Sequence, residues 1–235
     1  MLKTIKAHPV ASLLALLFVL TEIAMGIYVQ IGSIQVNVVA YCSVVLAFAF
    51  VACCFAKNQL WAFTACAMAN TLLADVFLVL TDPRKQLLAM VFFNCAQIFY
   101  ALRLFYQQTS NKARVRHLTI RVVACTTLAA ATLLVLRQNA NTLAVISAIY
   151  YANLLCNIVY AFTVRDYTFA VGLVFFALCD AFVGLGVLCQ MLDLPTTSAL
   201  HQIAFPSKFD PVWAFYVPSQ TLIALSTLEH KLKTK

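Results

Sequence analysis

Long apolar runs separated by short polar breaks dominate this chain of 235 residues. Eight of the runs reach about 20 residues, the length that a helix needs to cross the hydrocarbon core of a bilayer. The pattern therefore predicts an all-α polytopic membrane protein with eight transmembrane helices. Their predicted bounds are residues 10–31, 35–56, 60–80, 86–106, 119–137, 143–164, 169–191 and 211–229.

The breaks between the runs contain charged or turn-forming residues, and they are predicted to be loops. The break from Thr109 to His117 is rich in Lys and Arg, and the break from Asp193 to Asp210 is longer. Most breaks are too short to fold alone, so residues 1–235 are predicted to form a single integral membrane domain. The histidines fall in the predicted loops or tails, at His8, His117, His201 and His230. We therefore expect no His-rich metal site inside the membrane and no cofactor.

Composition agrees with a membrane protein and argues against two other classes. Hydrophobic residues make up 63% of the chain and charged residues 10%, whereas a soluble domain has roughly 45–50% and 25%. The net charge of +8 comes from Lys and Arg in the breaks and tails, as is typical of membrane anchoring. No basic face interleaves with aromatic residues, so we expect membrane lipids and no nucleic acid as partners. The oligomeric state is left open.

The basic residues also predict the orientation. With the N-terminus in the cytoplasm, twelve of the 16 Lys and Arg residues fall on the cytoplasmic side and four on the opposite side. Such a bias is the usual signature of topology in membrane proteins. We therefore expect both termini inside and an even number of spans. The expected location is the cell (inner) membrane of a bacterium or an endomembrane of a eukaryote.

An internal repeat connects the third and seventh predicted spans. The segments Leu73–Leu80 and Leu178–Leu185 share four of eight residues, including an aspartate. In the spans that follow, Gln97–Leu102 resembles Gln220–Leu225. These matches predict two four-helix halves related about an axis along the membrane normal.

Three of the eight acidic residues lie inside predicted spans, at Glu22, Asp75 and Asp180. An acid at the centre of a bilayer costs about 2.5–3.5 kcal/mol on insertion scales, so an intramembrane acid suggests a functional site. All three spans run in the same direction, which places the acids in the outer half of the membrane, where they could line one cavity. The other five acids are expected in loops or at span ends, at Asp82, Asp166, Asp193, Asp210 and Glu229.

Polar side chains at similar depth are candidates for binding a substrate near these acids. Two facing carboxyl groups can divide the work of general acid and general base, with one protonated and the other activating water. Interhelical hydrogen bonding is the competing explanation for each neutral polar residue. The polar residues at this depth are Asn70, Asn94, Gln97, Tyr150, Asn153, Asn157, Tyr216, Ser219 and Gln220, and all of them except Tyr150 and Ser219 are assigned to substrate binding, together with Glu22.

The chain resembles the YhhN-like family of eight-span membrane proteins, which includes the lysoplasmalogenases. The residues that carry the likeness are Leu73-Ala74-Asp75 with Leu78, Phe176 and Cys179-Asp180 with Leu185, and Phe215-Tyr216, Gln220 and Leu222-Ile223-Ala224. The family usually has Gly-Asp and Ser-Asp at the two acids, where this chain has Ala74-Asp75 and Cys179-Asp180. It also often has a Lys-Pro pair that is absent around Gly32 to Val36.

The resemblance implies hydrolysis of the vinyl ether bond of lysoplasmalogen, a lysophospholipid, to a fatty aldehyde and a glycerophospho-alcohol. Asp75 and Asp180 would be the acid–base pair, in either order. Arg84 or Lys85 would meet the phosphate or remain solvated loop charges. Two other functions stay open from the sequence. One is a proton-coupled transporter or channel, and the other is a non-catalytic scaffold in which the acids bind neighbouring helices.

Overall fold

The computed structural model describes residues 9–31, 36–53, 59–81, 85–108, 110–191, 193–206 and 209–233. Within these ranges the chain is helical and forms no β-strand. The long helices are α1 (Pro9–Ile31), α2 (Val36–Cys53), α3 (Gln59–Asp75, continued by the π-helical turn Val76–Leu80), α4 (Gln86–Gln107), α5 (Asn111–Leu136), α6 (Thr142–Thr163), α7 (Tyr167–Met191) and α9 (Pro211–Lys233), and a short helix α8 spans Ala199–Ala204.

Six of these helices are long and apolar enough to cross a bilayer, namely α1, α3, α4, α5, α6 and α7. They indicate an integral, multi-pass membrane protein. Helix α2 is apolar but shorter. Helix α9 has 23 residues and contains Pro218, and it falls outside the six. Hydropathy and length therefore support six of the eight predicted spans, and the other two remain predictions.

Helix α5 starts earlier than the apolar pattern indicated. The stretch from Thr109 to His117 was expected to be a loop, but α5 begins at Asn111 and includes its charged residues. Lys, Arg and Ala favour helix about as well as any residues, so the helix extends beyond its apolar part. The prediction of His117 as a loop residue is therefore wrong, since it lies in α5 with 2% of its surface exposed. The longer break before α9 also contains a helix, α8, which begins after the capping side chain of Ser198.

The helices pack in two closely associated pairs that further contacts join. Helices α3 and α4 form one pair, and α7 and α9 form the other. Helix α6 packs on α4, α5 and α7, while α9 closes the bundle against α1 and α2. The α7–α9 pair depends on Gly172, because a Cβ atom there would lie 2.9 Å from a side-chain carbon of Ile223.

Two ends of the bundle can be distinguished by their contacts. At one end, Arg103 of α4 forms a 2.6 Å ion pair with Asp166, which precedes α7. At the other, the side chain of Gln30 pairs with the backbone of Asp210, and both hydrogen bonds measure 2.9 Å. We call these the Asp166 end and the Asp210 end.

The sequence suggested only that Asp166 lies at the end of a span, but the structure shows it buried and paired with Arg103. It is 4% exposed, and its partner Arg103 is 1% exposed. Arg103 also donates to Thr64 of α3 at 2.9 Å and to Ser226 of α9 at 2.8 Å, and its guanidinium stacks 4.0 Å from the ring centre of Phe169. The tight α6–α7 turn, in which the Asp166 amide donates to Ala161, brings the carboxylate under Arg103.

The close contact at Gly172 predicts a specific sensitivity to a methyl group. Gly172→Ala should destabilise the protein by about 1–3 kcal/mol because the added carbon overpacks the α7–α9 interface. Gly184→Ala is the matched control on the same helix, since its Cβ would meet no atom within 4 Å, and it should be neutral or stabilising. Equilibrium unfolding in detergent measures both. Equal losses from the two variants would contradict the assigned contact.

The buried ion pair predicts a large cost for removing one partner. Asp166→Asn should destabilise the protein by about 3–5 kcal/mol, because it leaves the guanidinium of Arg103 buried without its counter-charge. The double variant Arg103→Met, Asp166→Leu should regain most of that loss. Asp193→Asn, at an exposed position, serves as the control in the same unfolding assay. An Asp166→Asn protein as stable as this control would show that the ion pair carries no stability.

Candidate functional site

Asp75 lies where α3 changes from α-helical to π-helical geometry. The π-helical turn Val76–Leu80 begins directly after it, and such turns are frequent at functional sites. The residue is 4% exposed. Its Oδ2 atom accepts a 2.5 Å hydrogen bond from the hydroxyl of Tyr216 on α9. The acid is thus held between two helices of the bundle.

Asp180 of α7 has an equivalent partner. Its Oδ2 atom accepts a hydrogen bond from the hydroxyl of Tyr150 on α6. Asp180 is half-buried, whereas Tyr150 is 4% exposed. Each of the two predicted acids therefore receives a phenolic donor from a neighbouring helix, as a carboxyl group in a low-dielectric interior requires.

Four aromatic rings connect the two acids, and we call them the aromatic cluster: Phe93, Tyr150, Phe176 and Tyr216. The ring centres of Tyr216 and Phe176 are 5.6 Å apart, those of Phe176 and Phe93 are 6.2 Å apart, and those of Phe93 and Tyr150 are 5.7 Å apart. These are edge-to-face or tilted contacts at normal distances. Asp75 and Asp180 therefore lie at the two ends of one continuous aromatic contact network.

Buried amide and hydroxyl groups lie one turn further along α4 and α9. Gln97 and Gln220 are fully buried, and they occupy matching positions in the similar segments Gln97–Leu102 and Gln220–Leu225. Neither amide atom of Gln220 has a hydrogen-bond partner among the described residues, and neither does Nε2 of Gln97 or the hydroxyl of Ser219. Buried polar atoms of this kind are usually satisfied by water or a ligand. The interior next to the aromatic cluster is therefore suited to a polar guest.

Two further candidates, Asn153 and Asn157 of α6, contact Arg121, a basic residue that the sequence predicted at the edge of a loop. Arg121 of α5 donates to Oδ1 of Asn153 at 2.8 Å and to Oδ1 of Asn157 at 2.6 Å. It also lies 3.0 Å from Nε2 of His117. Asn157 in turn donates to Oε1 of Gln97 at 2.9 Å. We call this group the Arg121 cluster.

The remaining candidates make local contacts. Glu22 of α1 accepts a hydrogen bond from Ser43 of α2, as expected for a buried acid that joins two helices. Asn70 donates to the carbonyl of Cys66 in its own helix at 2.8 Å. Asn94 donates to Met90 at 3.0 Å and to Ile146 of α6 at 3.3 Å. No hydrogen bond joins these three side chains to Asp75 or Asp180.

Tyr150 was expected among the polar residues at this depth, and it shares one face of α6 with Asn153 and Asn157 because positions three and seven residues apart align on a helix. Other residues of the site were not expected from the sequence. Arg121 was counted as a loop flank, although it lies ten residues into α5. Phe93 carried no signal among so many apolar residues, whereas Phe176 belongs to the motif around Asp180 that carries the family resemblance. Among the described residues, no group of three His, Cys, Asp or Glu side chains is placed to hold a metal ion.

Comparisons with known proteins identify the family and nothing narrower. No curated protein and no solved structure is detectably similar to the chain. Residues 45–227 match the YhhN family, a stretch that includes both aspartates, the aromatic cluster and the Arg121 cluster. Since this match covers most of the chain, the protein belongs to the YhhN family.

Proposed function

We propose that the protein hydrolyses the vinyl ether bond of lysoplasmalogen to a fatty aldehyde and a glycerophospho-alcohol, with Asp75 and Asp180 as the acid–base pair. One observation carries the proposal. The two acids, which come from matching positions of the two repeats, meet the same aromatic cluster and each accept a hydrogen bond from one of its tyrosines. A pure packing role for the acids would not require this shared environment.

The chemistry of a vinyl ether suits such a pair. The protonated carboxyl group donates its proton to the alkene carbon β to the oxygen, and the π electrons form the new C–H bond. The neighbouring carbon becomes part of an oxocarbenium ion. Water adds to that carbon as the other carboxylate takes up a proton. The hemiacetal then collapses: its hydroxyl proton passes to the first carboxylate, the bond to the glycerol oxygen breaks, and that oxygen takes the proton held by the second carboxyl group.

The aromatic cluster contributes to this reaction in two ways. Its rings exclude bulk water from the acids, which strengthens the electrostatic interactions there. The faces of Phe93 and Phe176 can also attract the positive charge of the oxocarbenium ion, as aromatic rings attract other cations. Both effects favour the transition state over the neutral substrate.

Water must enter an otherwise apolar interior for this reaction to proceed. Gln97, Ser219 and Gln220 are buried polar side chains with free hydrogen-bonding atoms. They lie within one turn of the aromatic cluster on α4 and α9, beside Phe93 and Tyr216. We assign them to hold the attacking water and the glycerol hydroxyl groups of the substrate.

The proposal includes eight spans arranged as two four-helix halves with both termini in the cytoplasm. Packing supports the halves, because the α3–α4 pair resembles the α7–α9 pair, and the α2–α3 and α6–α7 contacts also correspond. A two-fold axis along the membrane normal would exchange α4 with α9 and α6 with α2, and the α4–α6 contact accordingly corresponds to the α9–α2 contact. The orientation rests on the bias of basic residues.

Aldehyde release tests the catalytic roles. Purified wild-type protein should release fatty aldehyde from lysoplasmalogen, and Asp75→Asn or Asp180→Asn should lower kcat by about 10²–10⁴-fold, because each removes a proton donor or acceptor. Asp193→Asn is the matched control and should keep full activity, since Asp193 is exposed and has a positive φ of 46° that Asn tolerates. Folded wild-type protein that yields no aldehyde would rule out this substrate.

Removing the buried amide of α9 tests the assigned water site. Gln220→Leu should lower kcat by roughly 10-fold with a smaller change in KM, because one hydrogen bond to the attacking water is lost. Gln86→Leu, at an exposed position on α4, is the control. If Gln220→Leu retained the wild-type kcat, the water site would have to lie elsewhere.

Buried acids beside unpaired polar groups also suit proton-coupled transport. The same variants separate the two functions. A transporter would lose flux in proteoliposomes on Asp75→Asn or Asp180→Asn without any lipid product, and a scaffold would change only in stability.

A further inference from the structure

We infer that Arg121 binds the phosphate of a lysophospholipid whose ether linkage lies at the aromatic cluster. This inference rests on the proposed function and assigns the substrate's headgroup to a part of the structure that the acid–base chemistry does not use. The group that Arg121 recognises is a phosphate monoanion or dianion, and both lipids and soluble phosphate compounds carry such a group.

The first observation is a positive charge without a negative partner. Arg121 is half-buried within a helix that is apolar enough to span a membrane. The described atoms within hydrogen-bonding distance of it are the oxygens of Asn153 and Asn157 and a ring nitrogen of His117. A guanidinium cannot accept a hydrogen bond, so His117 is a neutral acceptor at Nε2 in this arrangement. No described carboxylate pairs with Arg121.

Arg103 has a carboxylate partner, which Arg121 lacks among the described residues. The guanidinium of Arg103 has its own carboxylate, Asp166, at 2.6 Å. An unpaired charge inside a membrane protein is costly, and such residues commonly mark substrate pathways. Arg is also the side chain best suited to phosphate, because its planar guanidinium can donate two parallel hydrogen bonds. The Arg121 cluster is therefore complete as a polar site but has an excess positive charge.

The second observation is the position of the cluster relative to Asp180. One face of α6 carries Tyr150, which binds Asp180, and Asn153 and Asn157, which bind Arg121. Asn153 and Asn157 are three and seven residues from Tyr150, or about 4.5 and 10.5 Å along the helix. In a lysoplasmalogen the glycerol unit separates the phosphate from the vinyl ether by a distance of the same order. One molecule can therefore contact both.

The third observation is the access route. Helix α5 packs on α6, and none of its apolar stretch is buried. Ile98 and Leu102 on the neighbouring α4 are 52% and 40% exposed. The Arg121 cluster thus lies beside helix faces that lipid can approach. The first turns of α5 add Lys112, Arg114 and Arg116, which attract an anionic headgroup.

These positions also define how the lipid lies. Arg121 is nearer to the Asp166 end than Asp180 is, so the headgroup points to the Asp166 end and the chain to the Asp210 end. By the orientation proposed above, the substrate comes from the cytoplasmic leaflet. Lys85, one of the two basic residues first considered for the phosphate, lies exposed at the start of α4, at the opposite end. Arg84 lies outside the described residues.

A binding experiment with an uncleavable analogue tests the inference without turnover. The probe is a 1-alkyl lysophosphatidylethanolamine, which has a saturated ether, and its reference is the 1-alkylglycerol of the same chain length. Full-length protein in nanodiscs should bind the phospholipid roughly 10- to 100-fold more tightly than the alkylglycerol. Arg121→Gln should erase this preference and leave alkylglycerol binding unchanged. Arg137→Gln, at an exposed position directly after the other end of α5, should keep it.

A second variant guards against misfolding. Asn153→Asp places a carboxylate of the same shape 2.8 Å from Arg121 and supplies an internal counter-charge. It should remove the phosphate preference without lowering the unfolding temperature. If Arg121→Gln and Asn153→Asp, both folded, retain the wild-type preference, the inference is overturned.

Soluble phosphates and catalysis are distinguished by separate arms. Inorganic phosphate or glycerol 3-phosphate that displaces the lysolipid at equal concentration would overturn the lipid assignment and favour a soluble ligand. An Arg121-dependent preference in a protein that releases no aldehyde would support the phosphate site while refuting the proposed hydrolysis. Aldehyde release by a protein whose lysolipid binding does not depend on Arg121 would support the proposed hydrolysis while refuting the phosphate site.

Discussion

The ion pair between Arg103 and Asp166 connects four parts of the bundle at one end. Its guanidinium also contacts Thr64 of α3 and Ser226 of α9. The site residues on these helices lie at similar distances from the pair: Asp75 is eleven residues from Thr64, Phe93 is ten from Arg103, and Tyr216 is ten from Ser226. Each separation corresponds to about 15–17 Å of helix. One buried contact therefore sets the relative register of three helices at the depth where Asp75, Phe93 and Tyr216 meet.

The same physical constraint explains the other polar contacts. Inside hydrocarbon, a carboxyl or guanidinium group that finds no partner is costly, so the protein supplies each with one. Tyr216 and Tyr150 serve Asp75 and Asp180, and Ser43 serves Glu22. Other polar groups among the described residues depart from this rule. They include the hydroxyl of Ser219 and the amide of Gln220, which have no partner, and Arg121, which has neutral partners only. These departures lie beside the aromatic cluster and at the Arg121 cluster, where a substrate is proposed to bind.

The two halves that the sequence predicts share several helix contacts but differ where the proposed substrate enters. Helix α1 packs against α9 of the other half, whereas the corresponding helix α5 packs mainly on α6. Ile98 and Leu102 of α4 are 52% and 40% exposed. The Arg121 cluster has no equivalent among the described residues of α1 and α2, which meet through Glu22 and Ser43. Under the proposed function, two predicted halves that each supply one acid bind one asymmetric lipid.

Local properties of the sequence determined much of this protein. Summed hydropathy identified the helices and the membrane class, because the cost of burying a polar residue in lipid applies wherever the chain folds. The same cost marked Glu22, Asp75 and Asp180, and the motifs around the two aspartates indicated the family. Only the tertiary structure decided which groups meet. It paired Asp166 with Arg103, 63 residues away, and Tyr216 with Asp75, 141 residues away. It also placed His117 in a helix and gathered Asn153 and Asn157 around Arg121. Such contacts depend on how separate helices pack and rotate, which hydropathy along the chain does not encode.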